Sequence, residues 1–173
     1  MEQDAEVGDA PAERLALVYS NEIHRLVGLA RLLSGSAAAG EDLAHDVFVR
    51  VLRMTAQDPS ALRDPAWPLL RTVLTRLAAQ RRRQMTRELA RLIKVARRPQ
   101  DDAWTPETVD FVAALQTLPP RMRACVALFY GEDLSTATVA ETLGCSQRTV
   151  ENHLRAARPR LGRLLAFDEG AHT

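Results

Sequence analysis

The stretch from Leu118 to Leu165 constrains this chain more than any other feature. It reads LPPRMRACVALFYGEDLSTATVAETLGCSQRTVENHLRAARPRLGRLL, two short helical patterns meeting at Gly144-Cys145. Ser135 and Ser146 each stand where a side-chain oxygen can accept an orphan amide of a starting helix. Gly144 suits the left-handed residue that closes a helix. Val139, Ala140 and Leu143 give the first helix an apolar face, and Val150 and Leu154 give one to the second. This is the pattern of a helix-turn-helix, whose second helix is shaped for a DNA major groove. The outward face then carries Gln147, Arg148, Glu151, Asn152 and Arg155, with His153 at its margin. Gln, Asn and Arg are the side chains that contact base edges in pairs of hydrogen bonds. A helical hairpin serving only protein contacts is the alternative.

Helical periodicity runs through the rest of the chain, without convincing strand alternation. Leu15, Val18, Tyr19, Glu22, Leu26, Leu29 and Leu33 lie near one stripe of a first helix, stopped by Ser34-Gly35-Ser36. A second helix is predicted to about Met54, with Leu43, Val47 and Val51 inward and Phe48 and Leu52 beside them. Its outer face carries Asp42, His45, Asp46, Val49, Arg50 and Arg53. Thr55 to Arg63 reads as a polar loop. Asp64 then reads as a cap, with Pro65 at the first helical position and Pro68 still in the first turn. The third helix continues into nine basic residues between Arg76 and Arg98 against one acid, Glu88. The net charge of +1 therefore understates the local field. Both a solvated helix face and a nucleic-acid contact fit that run.

Residues 97–105 read as a flexible linker. The predicted fold is all-α: two small helical domains, 11–96 and 106–167, the second a four-helix module ending in the helix-turn-helix. In that module Thr105 caps a helix, Pro119-Pro120 restarts another to Tyr130, and the last runs to about Phe167. Pro159 removes an amide inside the last helix, which predicts a kink there. The acidic start, 1–9, carries no secretory signal, and no run approaches the roughly 18 apolar residues of a membrane span. A cytoplasmic protein is expected. Cys125 and Cys145 form no CxxC pair and read as buried thiols rather than a disulfide or metal ligands. The four histidines share no metal spacing, and no glycine-rich phosphate loop occurs. No catalytic residue, metal or cofactor is expected.

The helix-turn-helix stretch resembles the C-terminal domain of the extracytoplasmic-function sigma factors of bacterial RNA polymerase. Gly40 to Arg53, GEDLAHDVFVRVLR, resembles that family's core-binding helix, and Pro65 to Arg83 the helix after it that faces the −10 promoter element. The resemblance covers roughly Leu15 to Leu165, in order. It implies that Asp42, His45, Asp46 and Arg50 dock on the clamp of the polymerase's largest subunit, with the flap as a second contact. It implies that Arg71, Arg76, Arg81, Arg82 and Arg83 hold the −10 strand, and that the loop Thr55 to Arg63 pockets a flipped base. The helix from Ser146 would bind the −35 element through Ser146, Gln147, Arg148, Thr149, Glu151, Asn152, Arg155 and Arg158. An anti-sigma partner that holds the two domains closed is implied as well.

Departures from the family pattern are specific. Arg76 stands where an asparagine is common, and the loop has no aromatic side chain. Glu151 replaces a cation, His153 an arginine, and Ala156 a later arginine. Fewer phosphate contacts mean lower affinity and a shallower salt dependence. Two other readings stay open: a sigma-like regulator with weakened −35 binding, and a stand-alone helix-turn-helix transcription factor. Thr149 to Leu154, TVENHL, also resembles the recognition helix of response-regulator-type activators.

Overall fold

A computed structural model describes residues 10–92 and 106–165. The expected tails, the linker with the Thr105 cap, Lys94, Arg97, Arg98 and the Phe167 end lie outside the described residues. Those described are helical, without strands: α1 (Ala10–Ser34), α2 (Ala37–Gln57), α3 (Trp67–Leu92), α4 (Pro106–Gln116), α5 (Pro120–Val126), α6 (Thr136–Leu143) and α7 (Gln147–Leu165).

The α1–α2 hairpin follows from its small residues. Gly35 takes a left-handed φ of 85°, and its amide donates 2.8 Å to the Arg31 carbonyl, closing α1. Ser36 then caps α2, its Oγ accepting from the Ala39 amide at 3.1 Å. Gly40 is needed for the crossing. A Cβ there would lie 2.5 Å from Arg31 Cγ and 2.8 Å from the Arg31 backbone nitrogen. Along α2, Leu43, Ala44, Val47, Phe48 and Val51 are buried at helical spacing. Tyr19 of α1 is partly exposed but sets its ring edge-on to Phe48, 4.7 Å between centroids.

Several local expectations change. The helix expected to stop near Met54 continues to Gln57, because Thr55 turns inward and donates to the Val51 and Leu52 carbonyls. Asp58 ends it and caps a single 3-10 turn, Pro59–Ala61. Two bonds from Ser60 to the Asp58 carboxylate hold its pKa below the usual value. Leu52, expected beside the core, is 48% exposed, because the buried stripe passes through Val51 on its other side. Pro65 lies outside α3, joined to Asp64 by a cis peptide bond. The Ala66 carbonyl accepts the first amides, from Leu69 and Leu70, so Pro68 sits where no donor is required. The helix after Pro120 does not remain α to Tyr130: Ala127–Gly131 widens into a π-type turn. α7 continues through Pro159 to Leu165.

The two halves are packed together. One apolar cluster runs from Leu26, Leu43, Leu70 and Leu74 through Leu115, Leu118 and Leu128 to Val139, Val150 and Leu154. α3 packs on α6, while α1 meets α5 and the π-type turn.

Candidate nucleic-acid and polymerase interface

The helix-turn-helix forms as its sequence dictates. Ser135 Oγ accepts from the Thr138 amide at 3.1 Å, opening α6. Gly144 closes it at φ 62°, and the Cys145 amide reaches back 3.0 Å to the Ala140 carbonyl. Ser146 Oγ then accepts from the Thr149 amide at 3.2 Å to open α7. Val150, Leu154, Ala157 and Leu161 are buried in succession, which turns Gln147, Arg148, Glu151, Asn152, Arg155 and Arg158 to solvent. Ser146 is exposed too, whereas Thr149 and His153 are half-buried.

The outward residues are linked in pairs. Gln147 Nε2 donates to Thr136 Oγ1 and to Glu151 Oε1, both at 3.0 Å. Arg155 donates 3.3 Å to Asn152 Oδ1. Glu151 thus orients the Gln147 amide, and the face keeps three arginines against one glutamate.

On α2, Asp42, His45, Asp46 and Arg50 are all exposed. They share that side with Val49 and Leu52, two exposed apolar side chains one turn apart. Sequence reasoning placed Leu52 against the core. An apolar pair three residues apart within a charged stripe was the available signal for a contact surface. Asp46 is ion-paired with Arg81 of α3, so a candidate polymerase contact and a candidate −10 arginine are coupled.

The five candidate −10 arginines separate in space. Arg76, Arg82 and Arg83 are exposed, and Arg81 is half-buried. Arg71 is only 6% exposed and faces the other half of the molecule. Burial lowers its guanidinium pKa, opposed mainly by Glu132, and its Nε has no hydrogen-bond partner. In this arrangement Arg71 is closed off from a nucleic-acid strand. The cause is helical phase: Arg71 lies one turn after Trp67, whose indole bonds Glu132 of the second half, and Glu132 and Glu141 of that half both act on the Arg71 charge.

Two polar seams at that junction escaped the sequence. Glu132 follows the π-type turn, and its side chain is 8% exposed. Its Oε2 accepts from Trp67 Nε1 at 2.9 Å and Arg25 at 2.7 Å. The Arg25 guanidinium lies 4.0 Å over the Trp67 ring. The second seam centres on Arg123, which is 4% exposed. It donates to the carbonyls of Leu115, Gln116 and Leu118 and, at 3.3 Å, of Leu33 in α1. These include carbonyls that helix ends leave without amide partners. Gln116 Nε2 adds a 3.2 Å bond to the Leu32 carbonyl. An arginine set between Met122 and the apolar Ala124-Cys125-Val126 of α5 was the sequence signal for that site.

The family described as "Sigma-70, region 4" matches residues 108–161, the module holding the helix-turn-helix. Over 92% of its length the chain is 32% identical to the ECF RNA polymerase sigma factor SigE of Mycolicibacterium smegmatis. The chain spans 66% of that protein. It is 27% identical to the ECF RNA polymerase sigma factor EcfG of Rhodopseudomonas palustris, covering 79% of this chain and 76% of that one. Its fold is similar to that of the sigma factor RpoE from Bartonella quintana, solved with the anti-sigma factor NepR. There the TM-score is 0.71 at 23% identity, over 93% of this chain and 99% of the other. No helix among the described residues is long and apolar enough to cross a membrane.

Proposed function

We propose that this chain, which belongs to the extracytoplasmic-function sigma factor family, joins core RNA polymerase and directs initiation at specific promoters. The observation that carries this is the solvent-facing row from Gln147 to Arg158 on a capped helix-turn-helix, behind an N-terminal half that aligns with the same family. Residues 11–96 serve core binding and the −10 element, 97–105 link, and 106–167 serve the −35 element. Asp42, His45, Asp46 and Arg50 offer a mixed-charge contact to the polymerase clamp, with Val49 and Leu52 as its apolar part. The flap is the second polymerase contact.

Action is by differential binding. Arg76, Arg81, Arg82 and Arg83 hold −10 phosphates, while Arg71 joins them only when the halves part. Ser146, Thr149 and Arg158 position the last helix, and Gln147, Arg148, Glu151, Asn152 and Arg155 face the bases. An anti-sigma partner would hold the closed form, a reading supported by the structural neighbour's own complex.

The Gln147–Glu151 bond favours one second reading, a weakened −35 grip, because it occupies a base-reading amide and sets a carboxylate near phosphate. Glu151→Lys should then raise promoter affinity, measured by fluorescence anisotropy. An unchanged affinity removes that reading. The main reading is tested by run-off transcription from genomic fragments with purified core polymerase. New start sites that depend on this protein and share upstream motifs support it. Absence of core binding overturns it.

A further inference from the structure

A cleft of about 690 Å³ separates the arginine-rich half of α3 from the helix-turn-helix. Arg76, Arg81, Arg82 and Arg83 line one wall. Arg121, Arg123 and His153 line the other. Among the described residues no carboxylate lines it. Apolar side chains including Leu43, Ala78, Met85 and Leu143 share its remaining surface with uncharged polar groups such as Gln116 and Thr142. That volume falls in the range of small-ligand sites, which combine apolar walls with a few placed polar groups.

The arginines are not equivalent. Arg81 already pairs with Asp46, and Arg123 spends its donors on backbone carbonyls. Arg76, Arg82, Arg83 and Arg121 form no ion pair among the described residues. Like charge accumulates across the gap. Burial pushes the Arg123 guanidinium down to about 10, and the charge of Arg82 pushes the same way. An anion between the walls would relieve that repulsion, and guanidinium forks match phosphate oxygens in paired hydrogen bonds.

We propose that this cleft binds a small organic polyphosphate of nucleotide size, and that the bound anion holds the two halves closed. The walls belong to different halves, so separating them removes half of the donors. A DNA duplex is too bulky for a gap closed by protein on two sides. A ligand that favours the closed form would keep Arg71 covered and oppose promoter binding, since it shifts the equilibrium by its differential affinity.

The test uses the full chain alone, so its failure leaves the sigma-factor reading standing. Calorimetric titration at 0.15 M salt would compare inorganic tripolyphosphate, a nucleoside triphosphate and orthophosphate. Saturable one-to-one binding of the first two, with orthophosphate much weaker, is expected. Tighter binding of the nucleotide would assign the apolar wall to its base, and equal binding would assign the phosphate chain alone. Arg82→Gln and Arg121→Gln, on opposite walls, should each weaken binding about tenfold, the loss of one charged hydrogen-bonded contact. Arg53→Gln, on the exposed face of α2, should not. Glu132→Ala, outside the cleft, should also weaken binding by loosening the closed form, and ligand should reduce the radius of gyration of that variant. Equal affinity in all variants, or binding that leaves the radius of Glu132→Ala unchanged, overturns the proposal.

Discussion

Removing the Glu132 carboxylate should open the molecule without unfolding its halves. In Glu132→Ala the Trp67 indole N–H loses its 2.9 Å acceptor, and Arg25 loses a 2.7 Å partner. A buried donor left unsatisfied costs about 1–3 kcal/mol. Arg25 is 50% exposed, so its ion pair adds only about 0–1 kcal/mol. Arg71, already buried, also loses the acid that most offsets its burial, Glu132. A central value of about 2 kcal/mol corresponds to roughly a 30-fold shift in the closed-to-open ratio. Separation lets water reach the Trp67 indole and Arg71, so the penalty is relieved by opening rather than by melting α3. The assay is small-angle scattering, together with acrylamide quenching of Trp67 in a Trp104→Phe background. Glu132→Ala should have a larger radius and a more quenchable Trp67, with helical circular dichroism retained. Glu132→Gln keeps an acceptor for the indole and loses only the charge, so it should open the molecule far less. A Glu132→Ala protein with the parent's radius and quenching would refute this reasoning, as would a Glu132→Gln protein just as open.

Gly40→Ala should destabilise the chain by about 1–3 kcal/mol, the cost of overpacking, because its new Cβ meets the backbone of Arg31; urea denaturation reads this directly. Ser146→Ala should cost about 1 kcal/mol by removing the cap of α7, seen as a lower Tm. At pH 8 a maleimide should modify the half-buried Cys145 and spare Cys125, whose thiol is pushed up to about 11 by burial and, secondarily, by Cys145. That shift favours the protonated folded form, so the Cys125 contribution is complete below its unfolded pKa near 9 and lost as pH rises through about 11. Denaturation curves between pH 8 and 11 should therefore show stability falling more steeply in the parent than in Cys125→Ala.

The helices and the outward polar row of α7 were legible because they depend on short-range rules. Caps at Ser36, Ser135 and Ser146, the left-handed Gly144 and the apolar stripe of α7 involve residues within a turn or two of each other. Local backbone chemistry fixes them wherever the rest of the chain lies. Leu52, Pro65 and the π-type turn at Ala127–Gly131 were missed because periodicity resolves a stripe only to within one neighbouring position, and two prolines near one helix start compete for its first turn.

The sequence by itself determined an all-α chain, a capped helix-turn-helix and the polar identity of its outer face. Tertiary structure alone decided which face of α3 meets the second half. It thereby buried Arg71, joined Glu132 to Trp67 across 65 positions, and set Arg123 against carbonyls of α1 and α4. Such contacts depend on how two apolar faces dock. No spacing in the sequence encodes that, because the partner of each buried charge lies on another helix.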